Sequence, residues 1–352
     1  MRVEWFTDEG VFDRLKPEWN DLLRRSVSDT LFLTWEWQTT WWRNLGRGAL
    51  RIITVRDDAG RLVGLLPLFA DPPPDSGPSD TAAPNTLSLI GGLDVSDYLD
   101  ALVARGFEPS VYAAILNALA RPDFPAWDHL QMCALPSGSP THTQFRAMAE
   151  RCGYQVEQRL HDVSPLIALP PTWDEYLAAL DKKQRHEIRR KLRRLDEQDG
   201  RWYVAGAGDD LGAAVADFIR LHQKSHPDKQ LFMDAPMQRF FLELAQIGAA
   251  HDWLRLEFIE IGGERAAAAF TFVYGAQVLV YNSGYEPQKY GHLGVGMALF
   301  ALSIRHAIAE GRRVYDFLRG DEEYKYRFGA QDTNVYELHV RNKSKVSQDA
   351  SV

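Results

Sequence analysis

The clearest pattern along the chain is a pair of strand-like runs joined by a short polar turn, and it occurs twice. Residues 50–69 contain two runs rich in Leu, Ile and Val, on either side of Asp57-Asp-Ala-Gly60. Residues 254–272 contain two more, on either side of Gly262 and Gly263. Apolar runs separated by two to five turn residues are typical of β-hairpins. We therefore predict one hairpin in each half of the chain.

The elements around the two hairpins also follow one order. An aromatic helix precedes each hairpin; a further strand, an apolar helix and a strand with an aromatic-Asp pair follow it. The helix and the last strand are predicted at 113–120 and 127–130 in the first half, and at 297–309 and 315–318 in the second. The same elements in the same order indicate two α/β units of one fold.

These units give a domain prediction. We expect an N-terminal domain over 1–165 and a C-terminal domain over 166–342, followed by a disordered tail at 343–352 that has little apolar content. A Pro-rich stretch at 71–85 interrupts the first half as a loop.

Composition narrows the class of protein. With 352 residues, 45% apolar and 25% charged, the chain resembles an ordinary globular protein. It contains no run of 18 apolar residues, so we predict no membrane span. Two cysteines provide no disulfide framework and no metal-ligand spacing, so we expect no metal and a cytoplasmic location. A net charge of −8 argues against a surface built wholly for nucleic acid.

One segment is strongly basic despite that net charge. Eight Lys and Arg residues lie between 182 and 194, with Ile188, Leu192 and Leu195 at helical spacing. We predict an amphipathic helix over 176–198 with a broad basic face. Either this face meets phosphates or it is a solvated surface paired with nearby acidic groups.

A strand followed by a glycine-containing turn and a helix suggests a cofactor site. The strand 278–285 ends in hydrogen-bonding side chains, and Gly291-His-Leu-Gly-Val-Gly296 precedes the helix. Backbone amides at such a helix start attract anions, although glycines also serve a tight turn into a helix. The residues predicted to bind the cofactor are Tyr281, Ser283, Leu293, Gly294, Val295, Gly296 and Met297.

The segment 314–329 interleaves charges with rings. Asp316, Arg319, Asp321, Glu322, Glu323, Lys325 and Arg327 alternate with Tyr315, Phe317, Tyr324, Tyr326 and Phe328. Mixed groups of this kind next to a strand end are suited to a polar substrate, and structural ion pairs cluster in the same way.

Together, the stretches 180–195, 281–285, 294–296 and 315–329 resemble the GNAT acyltransferase superfamily. The resemblance is to its branch with two tandem GNAT folds, related to the FemAB aminoacyltransferases, and within it to the CelD-like acetyltransferase domain associated with cellulose biosynthesis. It covers 160–335 well and the first half loosely, through 90–100. Gly291 stands where the superfamily's cofactor motif has Gln or Arg.

The resemblance implies an α/β fold (α+β by some schemes) of two tandem GNAT-like domains, each a mixed, mostly antiparallel sheet flanked by helices. It implies an N-acyltransferase that uses acetyl-CoA or another acyl-CoA as co-substrate. The acceptor would be a primary amine on a small molecule or a peptidoglycan or polysaccharide precursor, such as an amino sugar or peptide. The alternatives are a FemAB-type aminoacyl-tRNA-dependent transferase, the only reading with a tRNA partner, and a non-catalytic tandem-GNAT binding module.

The resemblance also suggests roles for individual residues. Asp316 or Asp321 is the expected general base, and Tyr285 and Tyr324 are candidate acids. Glu322, Lys325 and Arg327 are expected to bind the acceptor, with Asp97 and Tyr98 on the acceptor side of the first domain. Each has a structural alternative: local backbone bonding for Asp316, packing for the tyrosines, surface pairing for Lys325 and Arg327, and a turn for Asp97.

Overall fold

The computed structural model describes residues 1–71, 85–206 and 209–342, which divide into two compact units. The first unit comprises Met1–Asp162 and the residues from Asn334 onwards; the second comprises Val163–Thr333. The predicted tail at 343–352 and most of the predicted Pro-rich loop lie outside the described residues.

The elements up to the end of the seventh strand belong mainly to the first unit. They are β1 (Arg2–Phe6), α1 (Gly10–Arg25), α2 (Trp35–Leu45), β2 (Ala49–Arg56), β3 (Leu62–Ala70), β4 (Thr86–Leu89), β5 (Leu102–Val103), α3 (Glu108–Leu119), β6 (His129–Pro136), α4 (Arg146–Arg151) and β7 (Gln155–Ala168). The last residues of β7, from Val163, belong to the second unit.

The remaining elements build the second unit, except for most of the last strand. They are α5 (Trp173–Ala179), α6 (Lys182–Asp196), β8 (Arg201–Val204), α7 (Leu211–Ser225), α8 (Pro227–Phe232), α9 (Ala235–Ala250), β9 (Leu254–Ile261), β10 (Glu264–Tyr274), β11 (Gln277–Tyr285), α10 (Pro287–Tyr290), α11 (Val295–Ala309), β12 (Val314–Asp316), α12 (Glu323–Tyr326) and β13 (Gln331–Arg341).

In the first unit the strand order is β1-β2-β3-β4-β6-β13-β7, and β5 pairs with β3. The predicted hairpin at 50–69 is confirmed as β2 and β3, which pair antiparallel around the turn 57–60. β4 and β6 are parallel, with the apolar helix α3 between them in the chain.

The position of β13 differs from the predicted domain boundary. We predicted that 334–342 belongs to the C-terminal domain, but this stretch pairs antiparallel with β6, from Val335 opposite Pro136 to Arg341 opposite His129. Strand pairing between residues two hundred positions apart leaves no local trace in the sequence, so the prediction followed chain order instead.

The second unit repeats the arrangement of the first. Its strand order is β7-β12-β11-β10-β9-β8, and the predicted hairpin is confirmed as β9 and β10, whose turn uses Gly262 and Gly263 at positive φ. β11 and β12 are parallel with α11 between them in the chain, as β4, α3 and β6 are in the first unit. The expected duplicated α/β architecture with mostly antiparallel sheets is confirmed.

The predicted basic helix at 176–198 is wrong in one respect, because it is two helices. The first, α5, ends at Ala179, and Asp181 caps the second: the Asp181 carboxylate accepts from the backbone N–H of Gln184, whose side-chain oxygen accepts from the Asp181 N–H. This capping box satisfies amides that a continuous helix would bond internally, and so it starts α6 at Lys182. The predicted strand at 315–318 is also shorter, since Leu318 has φ +61°.

A buried carboxyl group lies in the core of the second unit. Tyr315 donates to Ser303, which donates to Glu257, and the Trp202 indole N–H also donates to Glu257. Burial raises the pKa of Glu257 to about 7, although the bonds from Ser303, Thr271 and Trp202 and the charge of Arg255 oppose that rise. The protonated form is therefore favoured by folding, in contrast to most carboxyl groups.

We expect this group to make the stability of the second unit depend on pH. The folded state binds more protons than the unfolded chain between the ordinary carboxyl pKa of 4.5 and about 7, so the free energy of unfolding falls as pH rises through that window. The loss should be roughly 3 kcal/mol. Glu257→Gln should remove this slope while adding a constant cost from its amide facing Trp202.

Denaturant unfolding of the wild type and Glu257→Gln at several pH values between 4.5 and 8 checks this. The measured quantity is the difference between the two slopes, which separates Glu257 from His222 and His306, whose pKa values burial lowers. Parallel curves for the two proteins would contradict the assignment.

Candidate active site

The site begins where β11 and β12 part. The two strands pair at Gln277, Val278 and Leu279, opposite Val314, Tyr315 and Asp316, and the pairing ends there. The chain then turns away, because the Phe317 N–H donates to the Pro165 carbonyl at 3.0 Å. The second half of β11 thus has an edge that β12 does not cover.

A bulge shapes this half of β11. Phe270 pairs with Asn282 and Thr271 with Val280, so Tyr281 is an extra residue on β11. Its ring stacks on Phe241 at 5.3 Å between centroids and is nearly buried. The side chain of Tyr281, a predicted cofactor contact, therefore belongs to the core, and only its backbone is available at the strand edge.

The loop after β12 is held by Lys325. Its ammonium group donates to the carbonyls of Leu318, Arg319 and Gly320 at 3.0, 2.7 and 2.8 Å, and Glu322 lies 2.9 Å away. Lys325 is only 2% exposed. We predicted that this residue binds an acceptor, but its donors are directed to the protein's own backbone, so Lys325 instead fixes the loop.

Asp316 supports the same loop. Its carboxylate, 2% exposed, accepts from the Leu318 N–H at 2.8 Å, which helps to hold Leu318 at positive φ. This contact is the one expected under the structural alternative, in which Asp316 bonds local backbone amides. Asp321, the other expected base, is exposed.

A cavity of about 320 Å³ lies between the free end of β11 and the start of α11. It brings together several predicted residues: Ser283, Tyr285, Gly294, Gly296, Met297, Tyr324 and Arg327. It does not include Val295, which is buried in the core, or Leu293, which is partly buried against that core. The predicted strand and helix start therefore do form one concave surface.

Gly294 shapes the start of α11 and touches the basic helix. It has φ +73°, and a Cβ at this position would collide with Lys191 Nζ of α6. Arg194 of the same helix lies 3.4 Å from the His292 carbonyl. Part of the basic face of α6 is thus aimed at the helix start rather than spread into solvent, and the positive end of the α11 dipole lies at the same place.

Lys229 lines the cavity and was missed by the sequence analysis. Its ammonium donates to the Ser283 carbonyl at 2.6 Å. Burial lowers the pKa of Lys229, and the charge of Glu322 opposes that change. Lys229 lies on the short helix α8 without any recognisable motif, and its proximity to β11 comes only from the packing of α7 and α8.

His222 of α7 stands beside Lys229. Its Nε2 lies 2.9 Å from Asn282 Oδ1, and burial lowers the pKa of His222 to about 4, with a further contribution from the charge of Lys229. The imidazole is therefore neutral at neutral pH. α7 can approach β11 this closely because Gly284 has no side chain. A Cβ at Gly284 would collide with the His222 backbone.

Tyr324 also lines the cavity, and Glu322 is two residues before it in the chain. The Tyr324 ring stacks on Phe300 at 5.4 Å. Burial raises the pKa of Tyr324, as does the charge of Glu322, so its hydroxyl stays protonated. The charge of Glu322, a predicted acceptor residue, raises the pKa of both Tyr324 and Lys229, while its carboxylate pairs with Lys325. Arg327 pairs with Glu323 at 2.8 Å.

Asp97 and Tyr98, predicted on the acceptor side, lie in the first unit. Both are half-buried in the loop before β5, and the Tyr98 ring meets Phe32 edge to face at 6.1 Å. Their expected role remains a prediction.

Across the described stretches of the chain, no single helix is long and apolar enough to cross a membrane. Pro287–Leu293 and Val295–Ala309 reach that length and composition together, but they meet at a bend of 63°.

Comparison with known families decides the class of this site. Residues 182–326 match the model of the acetyltransferase (GNAT) domain family. This part of the chain is similar to GNAT acetyltransferase domains. The match includes α6, β11, the start of α11 and the segment 314–326, which are the elements that surround the cavity. The resemblance to the GNAT superfamily is confirmed, and the chain is an acyltransferase. No curated protein matches the chain.

Solved structures share the fold of both units. FemX is similar with a TM-score of 0.66 and 10% identity, covering 99% of each chain. The C-terminal domain of a putative lysylphosphatidylglycerol synthetase from Agrobacterium fabrum gives 0.54 and 11%, covering 96% of this chain and 95% of that one. L-PGS from Bacillus licheniformis gives 0.55 and 11%, covering 96% and 93%. Identities this low show a shared fold alone.

The two glycines at the ends of α11 allow a controlled test of the helix start. Gly294 and Gly311 both have φ +73°, but an added Cβ meets Lys191 at Gly294 and nothing at Gly311. Gly294→Ala and Gly311→Ala should each lose about 1–2 kcal/mol of stability from the left-handed backbone. We expect only Gly294→Ala to weaken CoA binding, measured by isothermal titration, by at least tenfold. Equal affinity in the two variants would show that CoA binds elsewhere.

Proposed function

We propose that the chain is an N-acyltransferase that moves an acyl group from acyl-CoA to the primary amine of a polar acceptor. The observation that carries this proposal is the cavity bounded by the free edge of β11 and the start of α11. One side offers backbone groups to an extended amide-containing chain, and the other offers amides and a helix dipole to phosphates. Pantetheine and pyrophosphate have these two requirements in the same order.

The donor's phosphates would lie at Gly294–Met297. Lys191 beside Gly294 and Arg194 beside His292 add fixed positive charge there. These two residues compensate for Gly291, which stands where the superfamily's motif has a long Gln or Arg side chain. The basic helix α6 is thereby assigned to the donor.

The acyl carbonyl would lie near Ser283 and Lys229. When the acceptor nitrogen attacks, a C–N bond forms, the carbonyl oxygen becomes negative, and the C–S bond then breaks. The ammonium of Lys229, held by the Ser283 carbonyl, is positioned to offset that negative charge. Its partial burial strengthens the effect, because less water screens it.

The acceptor's nitrogen must lose a proton to a base, and the departing thiolate takes up a proton from water afterwards. Under this proposal Glu322 orients the acceptor's amine and Asp321 removes its proton, because Asp316 is engaged with Leu318. Tyr324 keeps its proton because its raised pKa lies above that of a thiol, so it would donate a hydrogen bond to the departing sulfur rather than transfer the proton. Tyr285, also in the cavity, is the remaining candidate acid. A cytoplasmic location and an amino sugar or peptide acceptor in envelope or polysaccharide synthesis belong to this proposal.

The fold shared with FemX and with L-PGS favours a second candidate, aminoacyl transfer from aminoacyl-tRNA. Under it, the basic face of α6 would bind the tRNA backbone instead of the phosphates of CoA. Both candidates use the same carbonyl chemistry at Lys229, so they differ in the donor alone.

A binding experiment separates the two donors. Under the first candidate, CoA and acetyl-CoA raise the melting temperature of the full chain, and Lys191→Met reduces that rise because it removes a cation from the phosphate site. Under the second, a tRNA pool is retained at physiological salt and CoA has no effect. Retention of tRNA without any CoA shift would overturn the acyl-CoA proposal.

A pair of lysine variants tests the carbonyl site. Lys229→Met should lower kcat for thiol release from acetyl-CoA, with a panel of amines as acceptors, by about 10²–10³, the usual effect of losing one oxyanion donor. The KM for acetyl-CoA should change little. Lys224→Met is the matched control, since Lys224 is half-exposed and pairs with Glu286 outside the cavity. A wild-type kcat in Lys229→Met would remove Lys229 from the mechanism.

A further inference from the structure

A cluster of metal-binding side chains lies in the first unit, away from the site described above. Cys133, Glu337 and His339 each offer a ligand atom, and these atoms all lie within 4.8 Å of one another. His161 adjoins them, with Nδ1 3.0 Å from Glu337 Oε2. The acyl transfer uses none of these residues.

The sheet places the cluster on one of its faces. Cys133 is on β6, Glu337 and His339 are two residues apart on the neighbouring β13, and His161 is on β7, the next strand. Residues two apart on a strand face the same side. The pairing of β6 and β13 shifts register between Tyr336 and Leu338, so that β6 has an extra residue there.

The extra residue involves a strained backbone. Ala134 has φ +60°, a conformation that costs a residue with a Cβ about 1–2 kcal/mol. It is buried between Cys133 and Leu135, within the bulge that sets Cys133 opposite Glu337. Bulges that re-aim a side chain are common beside functional groups.

The geometry within the cluster is that of ligands converging on one point. His339 Nε2 is buried and makes no hydrogen bond within the described residues, although Glu337 Oε1 is 3.2 Å away. Cys133 Sγ lies 3.9 Å from the same carboxylate. Ligands of a tetrahedral ion at 2.0–2.3 Å are separated by roughly 3.3–3.6 Å, so small side-chain movements would bring these three atoms to that spacing.

We propose that Cys133, Glu337 and His339 bind a divalent transition-metal ion of the zinc class. A thiolate, an imidazole and a carboxylate together suit Zn²⁺ better than Mg²⁺ or Ca²⁺, which prefer oxygen ligands alone. His161 holds the second carboxylate oxygen of Glu337 and so orients the ligand. Three protein ligands leave a fourth position for water or another group.

The ion has a route to this site. A groove of about 530 Å³, lined by Gln131, Glu157, Arg159 and His339 among others, opens beside His339. No metal was expected from the sequence, because the chain has no Cys and His residues at the short spacing of a metal-binding motif. Cys133 is separated from Glu337 and His339 by some two hundred residues, and the pairing of β13 with β6 brings them together.

The two cysteines provide an internal comparison for the test. The full chain is treated with a chelator and titrated with Zn²⁺ against a chromophoric chelator, and each cysteine's alkylation by iodoacetamide is followed by mass spectrometry. We expect one Zn²⁺ per chain, and slower alkylation of Cys133 with Zn²⁺ than without it. The alkylation rate of Cys152, which is exposed, should not change.

Variants complete the experiment. Cys133→Ser and His339→Ala should each weaken Zn²⁺ binding at least tenfold, whereas Cys152→Ser should bind as the wild type does. Circular dichroism of the metal-free variants checks that they fold. The alkylation measurement uses the wild type, so it tests the proposal even if a variant does not fold. Unchanged alkylation of Cys133 with Zn²⁺, or full affinity in Cys133→Ser, would overturn the proposal and leave a hydrogen-bonded cluster only.

Discussion

The separation of β11 from β12 is the constraint on which the proposed acyl-transfer site depends. A parallel pair that continued past Leu279 would satisfy the edge of β11 with its own neighbour and close the cavity. Three sets of hydrogen bonds prevent this. The Phe317 N–H donates to the Pro165 carbonyl, and the Leu318 N–H donates to the Asp316 carboxylate. The Lys325 ammonium donates to three carbonyls of the following loop. The backbone groups of 317–320 are thus occupied elsewhere, and the strand edge remains available to a ligand.

The groups that build the second unit and those that act in it are distinct. The bonded series from Tyr315 through Ser303 to Glu257 ties β12, α11 and β9 together in a fully buried region. Lys229 and Tyr324 line the cavity, and the charge of the nearby Glu322 raises the pKa of both. A rigidly packed core therefore supports a small set of polar groups at the cavity, and catalysis by positioning requires such rigidity.

Local signals allowed much of the fold to be predicted. The hairpins were visible because turn residues such as Gly262 and Gly263 interrupt apolar runs, and the start of α11 because Gly294 precedes an apolar helix. Lys325 shows where such reasoning fails: a lysine among charges and rings looks like a substrate contact, and only the fold reveals that it is buried among carbonyls. Lys229 was missed for the opposite reason, since its neighbours in sequence carry no pattern and its partner Ser283 is distant along the chain.

The place of β13 has a consequence for the order in which the molecule is made. The second unit is one continuous stretch, Val163–Thr333, while the first unit receives a strand between β6 and β7 from the residues that follow. Synthesis runs from the N-terminus, so 163–333 leaves the ribosome complete before the first unit has all its strands. The facing edges of β6 and β7 therefore lack their neighbour β13 and are open to mispairing until 334–341 have been synthesised. The first unit is thus the first to be synthesised and the last to receive all its strands.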